Sequence, residues 1–314
     1  MYRLDAHKQS PLVPVFMRIG ILLLKLLRVK QWIKNGFVLV PLVFSPQFTR
    51  IDAITKAGAA FFTFCLVSSF IYIINDIIDR EADAKHPKKR HRPLASGAVS
   101  IPSAIFMDIL CLTGTGALLV YLDVGKVTVT IVSYIITNLL YSWKLKHIPL
   151  LDVFCIAFGF VLRVYAGAYA VDTFVSSYLF MVMMFISLFL AFGKRKAEMA
   201  NAGWETRKSL DSYSGTTIDR YLTILADAVI ISYALYTLDS DTLARFGNRL
   251  VYSVVFVVYG IFRYMAELDK SSDYDDPTDN LYKDKVLIAV CVMYAGYVTL
   301  IAAGVIICYS YSAA

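Results

Sequence analysis

Asn75, Asp76, Asp79 and Asp83 fall within one short stretch, Asn-Asp-Ile-Ile-Asp-Arg-Glu-Ala-Asp, at the end of a long apolar run. On a helix, at about 100° per residue, they share an arc of roughly 100°. Three carboxylates and a carboxamide would then stand at the C-terminal, negative end of that helix, where anions are disfavoured. Ionisable groups beside hydrocarbon are costly as well. A hard divalent cation would compensate them. Mg²⁺ takes oxygen ligands, keeps several waters and bridges one or two carboxylates to substrate phosphates. A solvated acidic helix end, paired with Arg80 and Lys85, is the plainer alternative.

The next segment is His86-Pro-Lys88-Lys89-Arg90-His91-Arg92-Pro93-Leu-Ala-Ser96-Gly97. Metal-held oxygens next to arginines suit a diphosphate, with the cation on one set of oxygens and Lys89, Arg90 and Arg92 on the rest. A basic loop held near anionic lipid is a compatible reading.

These residues need a scaffold, and the composition says which. The 314 residues are 58% hydrophobic and 18% charged, with a mean hydropathy of +0.61. A soluble domain is about 45–50% apolar and about 25% charged. The apolar residues form continuous runs rather than an alternation, which argues against a barrel. Disorder, a disulfide scaffold and a nucleic-acid module are excluded. An all-α, polytopic membrane bundle is expected, because helices satisfy their own backbone in lipid. The five cysteines lie inside apolar runs without CxxC spacing, and the four histidines lack zinc-ligand spacing.

Nine spans are expected, at about 35–48, 53–77, 103–122, 127–144, 150–170, 176–193, 218–239, 250–267 and 286–309. Pro41 and Pro46 should break or tilt the first. Residues 1–34 form an N-terminal segment with an amphipathic interfacial helix, whose Arg18, Lys25 and Arg28 share one face. Residues 35–314 form a single transmembrane domain. Of the 31 Lys and Arg residues, 24 fall in the segments on the N-terminal side of the membrane and 5 in the opposite loops. The positive-inside rule then places the N-terminus in the cytoplasm and the C-terminus outside.

The run from Asn75 to Gly97 resembles the UbiA superfamily of intramembrane transferases. Other segments are similar to its decaprenyl-phosphate phosphoribosyltransferase branch. They are Lys30-Gln-Trp-Ile-Lys34-Asn35, Tyr141-Ser-Trp-Lys-Leu-Lys146 with Asp152, Leu162-Arg163 with Ala166-Gly167, and Gly193-Lys194-Arg195-Lys-Ala-Glu198. The resemblance implies a bundle of nine spans around a cavity open to the cytoplasm. It implies Mg²⁺-dependent transfer of phosphoribose from phosphoribosyl diphosphate to a polyprenyl phosphate, for cell-envelope glycan precursors. Asn75, Asp76, Asp79 and Asp83 would hold the metal and serve catalysis. Prenyl-transferring members carry a second Asp-rich motif after the sixth span. Here that place reads Lys194-Arg195-Lys-Ala-Glu198, which suits another phosphate better than a second metal.

Further polar residues are candidates for substrate contact. Lys34 and Asn35 sit at the mouth of the first span, where Lys30, Trp32 and Lys34 could equally be a snorkelling anchor; the resemblance favours binding. Tyr141 and Lys146 follow the fourth span. Arg163 lies inside the fifth, facing either ligand or an acid such as Asp227. Glu198 can hold Lys194 or Arg195 at i,i+4 or i,i+3 spacing. The acidic run Asp269, Asp273, Asp275, Asp276 and Asp279 reads as a solvated loop. The membrane is the one partner besides these substrates, and a homo-oligomer stays open. Two rivals remain: prenyl transfer to an aromatic acceptor on the same scaffold, and a transporter of anionic solutes.

Overall fold

A computed structural model describes residues 15–87, 89–200, 213–270 and 284–304. Every element among them is helical. Helix α1 (Val15–Leu26) leads into a 3-10 segment (Val29–Leu39) and a four-residue α2 (Val40–Val43). Then come α3 (Ile51–Ile78), the short α4 (Arg80–Lys85), α5 (Ile101–Leu122) and α6 (Gly125–Trp143). Next are α7 (Leu151–Ala170), α8 (Ser177–Ala200) and α9 (Gly215–Leu238). The described part closes with α10 (Ser240–Phe246), α11 (Val254–Lys270) and α12 (Lys285–Ala302).

Among the described residues, seven helical stretches are long and apolar enough to cross a membrane: α3, α5, α7, α8, α9, residues 240–269 and α12. The chain is a multi-pass membrane protein. Two of the nine expected spans are not in this set. The first is the 3-10 segment with α2, because Pro41 and Pro46 remove amide donors that a regular helix would need. The fourth is α6, where Thr128, Thr130, Ser133, Thr137 and Asn138 dilute the apolar run.

Helix α3 shows why the bundle closes. Ala57, Ala60, Phe64, Val67 and Ile71 recur at three- and four-residue spacing and are all buried. Phe64, Val67 and Ile71 pack with Val38 of the 3-10 segment, Ile131 and Tyr134 of α6, and Leu162 and Ala166 of α7. The contact between the 3-10 segment and α7 depends on Gly167. A Cβ there would lie 1.9 Å from the Val38 carbonyl oxygen. Ser100 caps α5 by accepting from the Ser103 amide at 3.3 Å, and Ser214 caps α9 through Thr217 at 3.1 Å.

Contacts between helix ends set the directions. Arg195 late in α8 meets Tyr141 late in α6 and Asp152 early in α7, and Lys196 meets Asp219 early in α9. Arg263 of α11 meets Asp284 at the head of α12, and Ile73 late in α3 packs with Ala104 early in α5. The C-terminal ends of α3, α6, α8 and α11 therefore share one end of the bundle with the N-terminal ends of α5, α7, α9 and α12. Most of the polar residues singled out above collect at that end.

Candidate active site

The acidic stretch does not continue as one helix. Helix α3 stops at Ile78, Asp79 forms the junction, and α4 begins at Arg80. Backbone bonds run through the bend, from the Asp79 amide to Asn75 O and from the Asp83 amide to Asp79 O, each 2.8 Å. Asp76 and Asp83, seven residues apart and so on nearly the same face, are buried at 3% and 4% exposure. Asp79 and Asn75 are half-buried beside them.

Arg92 ties the two buried carboxylates together. Its Nη1 donates to Asp76 Oδ1 at 3.0 Å and also to Asp83 Oδ2. The same Asp76 oxygen accepts from Arg28 Nη2. Arg28 thus leaves the surface face expected for it with Lys25 and turns toward the acids. Sequence reading missed this role, and two residues beyond the end of α1 there is little to signal it. Lys89 and Arg90 are exposed on a short 3-10 turn, Lys89–His91. Lys88 lies outside the described residues. Arg80 Nε donates to Leu94 O at 3.2 Å and fastens the loop, whose Leu94 is buried with Ile73 and Ala104.

Two buried carboxylates on one face, with arginines beside them, fit a site for Mg²⁺ bound together with phosphate oxygens and water. They are not a complete protein cage. Among the described residues no three His, Cys, Asp or Glu side chains converge on one point.

A second cluster forms where α6, α7 and α8 meet. Helix α8 runs on beyond the expected end at 193, so Lys194, Arg195 and Glu198 are helical. Arg195 is fully buried. Its Nε donates to Asp152 Oδ2 at 2.7 Å, Nη2 to the Tyr141 hydroxyl at 3.3 Å, and Nη1 to Glu198. Asp152 also accepts from the Tyr213 hydroxyl at 3.4 Å, and that hydroxyl accepts from the Leu150 amide. Burial holds the Tyr213 phenol above its usual pKa. The structure gives Arg195, expected to contact phosphate, two carboxylate partners, Asp152 and Glu198. Lys194 is half-buried one residue away, and Lys146 is half-buried on the 3-10 turn Leu145–His147.

The third cluster belongs to Arg163, which is 5% exposed. Its Nε donates to Asn35 Oδ1 at 2.8 Å, Nη2 to the Tyr134 hydroxyl at 2.8 Å and Nη1 to Gly159 O at 2.9 Å. Its guanidinium carbon lies 4.7–5.5 Å from the ring centres of Tyr134, Phe160 and Phe64. The hydrogen-bond partners are neutral, and Asp227, suggested as a partner, is exposed on α9. Asn35 also donates to Ser68 Oγ at 3.2 Å, so Asn35 and Arg163 join the 3-10 segment, α3 and α7. Lys34, half-buried, is carried by that anchored segment. Asp273, Asp275, Asp276 and Asp279 lie outside the described residues.

Residues 38–279 match the UbiA prenyltransferase family. The chain belongs to that family. It is 35% identical over 293 residues to the decaprenyl-phosphate phosphoribosyltransferase of Corynebacterium glutamicum, covering 88% of this chain and 87% of that protein. The enzyme of that name from Mycolicibacterium smegmatis is 33% identical, with 87% and 90% covered. Among solved structures, a UbiA homolog from Archaeoglobus fulgidus bound to GPP and Mg²⁺ superposes with a TM-score of 0.67 at 19% identity, over 90% of this chain and 99% of that one. UbiA members are transferases, and this UbiA chain is an enzyme of that class.

Proposed function

We propose that this UbiA enzyme moves 5-phosphoribose from phosphoribosyl diphosphate to a polyprenyl phosphate, with Mg²⁺, and releases diphosphate. The pairing of buried Asp76 and Asp83 through Arg92 carries the reading, since it sets carboxylates and guanidinium donors side by side. The names of the bacterial relatives supply the substrate class.

Bound at Asp76 and Asp83, with Asn75 and Asp79 adjacent, Mg²⁺ would neutralise charge on the departing diphosphate. Arg92, Lys89 and Arg90 donate to the remaining diphosphate oxygens. Charge grows there as the ribose C1–O bond breaks, so these contacts strengthen toward the transition state. The acceptor phosphate is already anionic and needs no strong general base. Lys34, Lys146 and Lys194 hold the 5-phosphate and the acceptor phosphate, each a charge-assisted contact. Arg195 and Arg163 position the helices that present these lysines, with Tyr141 and Glu198 as partners of Arg195. The polyprenyl chain stays in lipid and enters from the side, which places its phosphate near C1.

The site end of the bundle faces the cytoplasm in this reading, with the N-terminus inside and the C-terminus outside. Purified protein in detergent, given labelled phosphoribosyl diphosphate, polyprenyl phosphate and Mg²⁺, should move label into the organic phase. Prenyl diphosphate with an aromatic acid should yield no product. The reverse outcome would replace this reading with aromatic prenylation.

A further inference from the structure

Asp76 accepts from two guanidinium groups, and only Arg92 belongs to the basic loop. The other, Arg28, stands far upstream at a strained point of the chain. Its backbone is left-handed, φ 51° and ψ 46°, a conformation unfavourable for a residue with a Cβ.

The neighbours hold that geometry in place. Leu26 is buried against Ile73, Leu94 and Ala104. Ser69 Oγ donates to Leu27 O at 2.8 Å and accepts from Trp32 Nε1 at 3.0 Å. The Arg28 guanidinium lies 4.8 Å from the centre of the Tyr72 ring, one turn before Asp76 on α3. Backbone strain kept by surrounding contacts is a mark of functional sites. The Arg28 side chain is also still 24% exposed, so solutes can reach it.

We propose that Arg28 binds the diphosphate of the donor substrate and that it opposes the metal until that diphosphate arrives. The inference rests on the function proposed above. Asp76 Oδ1 already takes Arg28 and Arg92. A divalent cation at that oxygen meets two positive groups, so metal alone is held weakly. A diphosphate brought with the metal reverses the balance. The guanidinium donors then turn to phosphate oxygens, where a planar fork matches the acceptor geometry. Metal and diphosphate consequently bind as a pair, each tightening the other by the same factor.

Titration calorimetry on the full chain in detergent tests this, with Mg²⁺ alone, and with inorganic diphosphate in the presence of Mg²⁺. Arg28→Gln should bind Mg²⁺ alone at least about tenfold more tightly and diphosphate with Mg²⁺ at least about tenfold more weakly. Opposite signs separate a ligand-binding role from a structural one, which would move both affinities the same way. Arg28→Lys, which keeps the charge without the fork, should weaken diphosphate and leave Mg²⁺ alone near wild type, and it serves if the glutamine variant does not fold. Variants that match the wild type in both titrations, or lose both affinities together, overturn the role of Arg28 alone. A wild type that binds no diphosphate with Mg²⁺ overturns the proposed function first.

Discussion

Arg195 and Asp152 meet at 2.7 Å with both side chains wholly excluded from solvent. They join the start of α7 to the last turns of α8 across 43 residues of sequence. Removing one member of such a pair leaves a buried charge uncompensated, at a cost of about 3–5 kcal/mol. Arg195→Ala and Asp152→Ala should each lower the thermal midpoint in detergent by many degrees. Lys194→Ala should keep the midpoint and raise KM for phosphoribosyl diphosphate or polyprenyl phosphate. An unchanged midpoint in Arg195→Ala would refute the clamp.

The metal reading makes its own demand. Asp83→Asn and Asp79→Asn should reduce turnover at least about tenfold, since removing preorganised charge stabilisation commonly costs 10²–10³ in rate. EDTA should abolish activity and Mg²⁺ restore it. Full turnover in EDTA would end the assignment.

Gly167→Ala tests the contact between the 3-10 segment and α7. The new Cβ would overlap the Val38 carbonyl oxygen, and that neighbour is backbone, which cannot rotate away. Overpacking of this kind costs typically 1–3 kcal/mol. The expected result is a lower thermal midpoint, together with a weaker hold on the segment that carries Lys34 and Asn35.

Asp284 gives a pH dependence. It caps α12 through the Val286 amide at 2.9 Å and accepts from Arg263 Nε at 2.7 Å. The Arg263 guanidinium holds its carboxyl below the usual range. A carboxylate with a depressed folded-state pKa contributes fully above its unfolded pKa and loses that contribution as pH falls through the lower, folded value. Thermal midpoints measured from neutral pH down to about pH 3 should fall less steeply in Asp284→Ala than in wild type. At neutral pH that variant should be weaker by about 1 kcal/mol.

Orientation can be read with a membrane-impermeant thiol reagent in a cysteine-free background. A cysteine at position 91 should react from the cytoplasmic side alone, and one at position 245 from the opposite side alone. Reaction of both from one side would reverse the topology argument.

The apolar runs made most of the bundle legible, and the Asp76 to Asp83 spacing marked a shared face. Within that face the structure buries Asp76 and Asp83, the outer two acids, and leaves Asp79 half-buried between them. The remaining gaps have one physical cause. Arg28 finds Asp76 across 48 residues, and Arg163 finds Asn35 across 128. No local spacing encodes such pairings. The same cause hid the true end of α8. A cationic run looked like the end of a span because Asp152, one of the two acids that stabilise Arg195, sits on another helix.

Arg163 has to enter the bilayer during synthesis, and an arginine at the centre of a lone helix costs roughly 2.5–3.5 kcal/mol on insertion scales. Asn35, Phe64 and Tyr134 all precede it in the chain. N-terminal segments are made first. When α7 leaves the ribosome, the carboxamide, the phenol and the aromatic faces that will receive its guanidinium have already been synthesised. The order of residues along the gene thus doubles as an assembly schedule, in which solvation for a charge is laid down before the charge itself arrives.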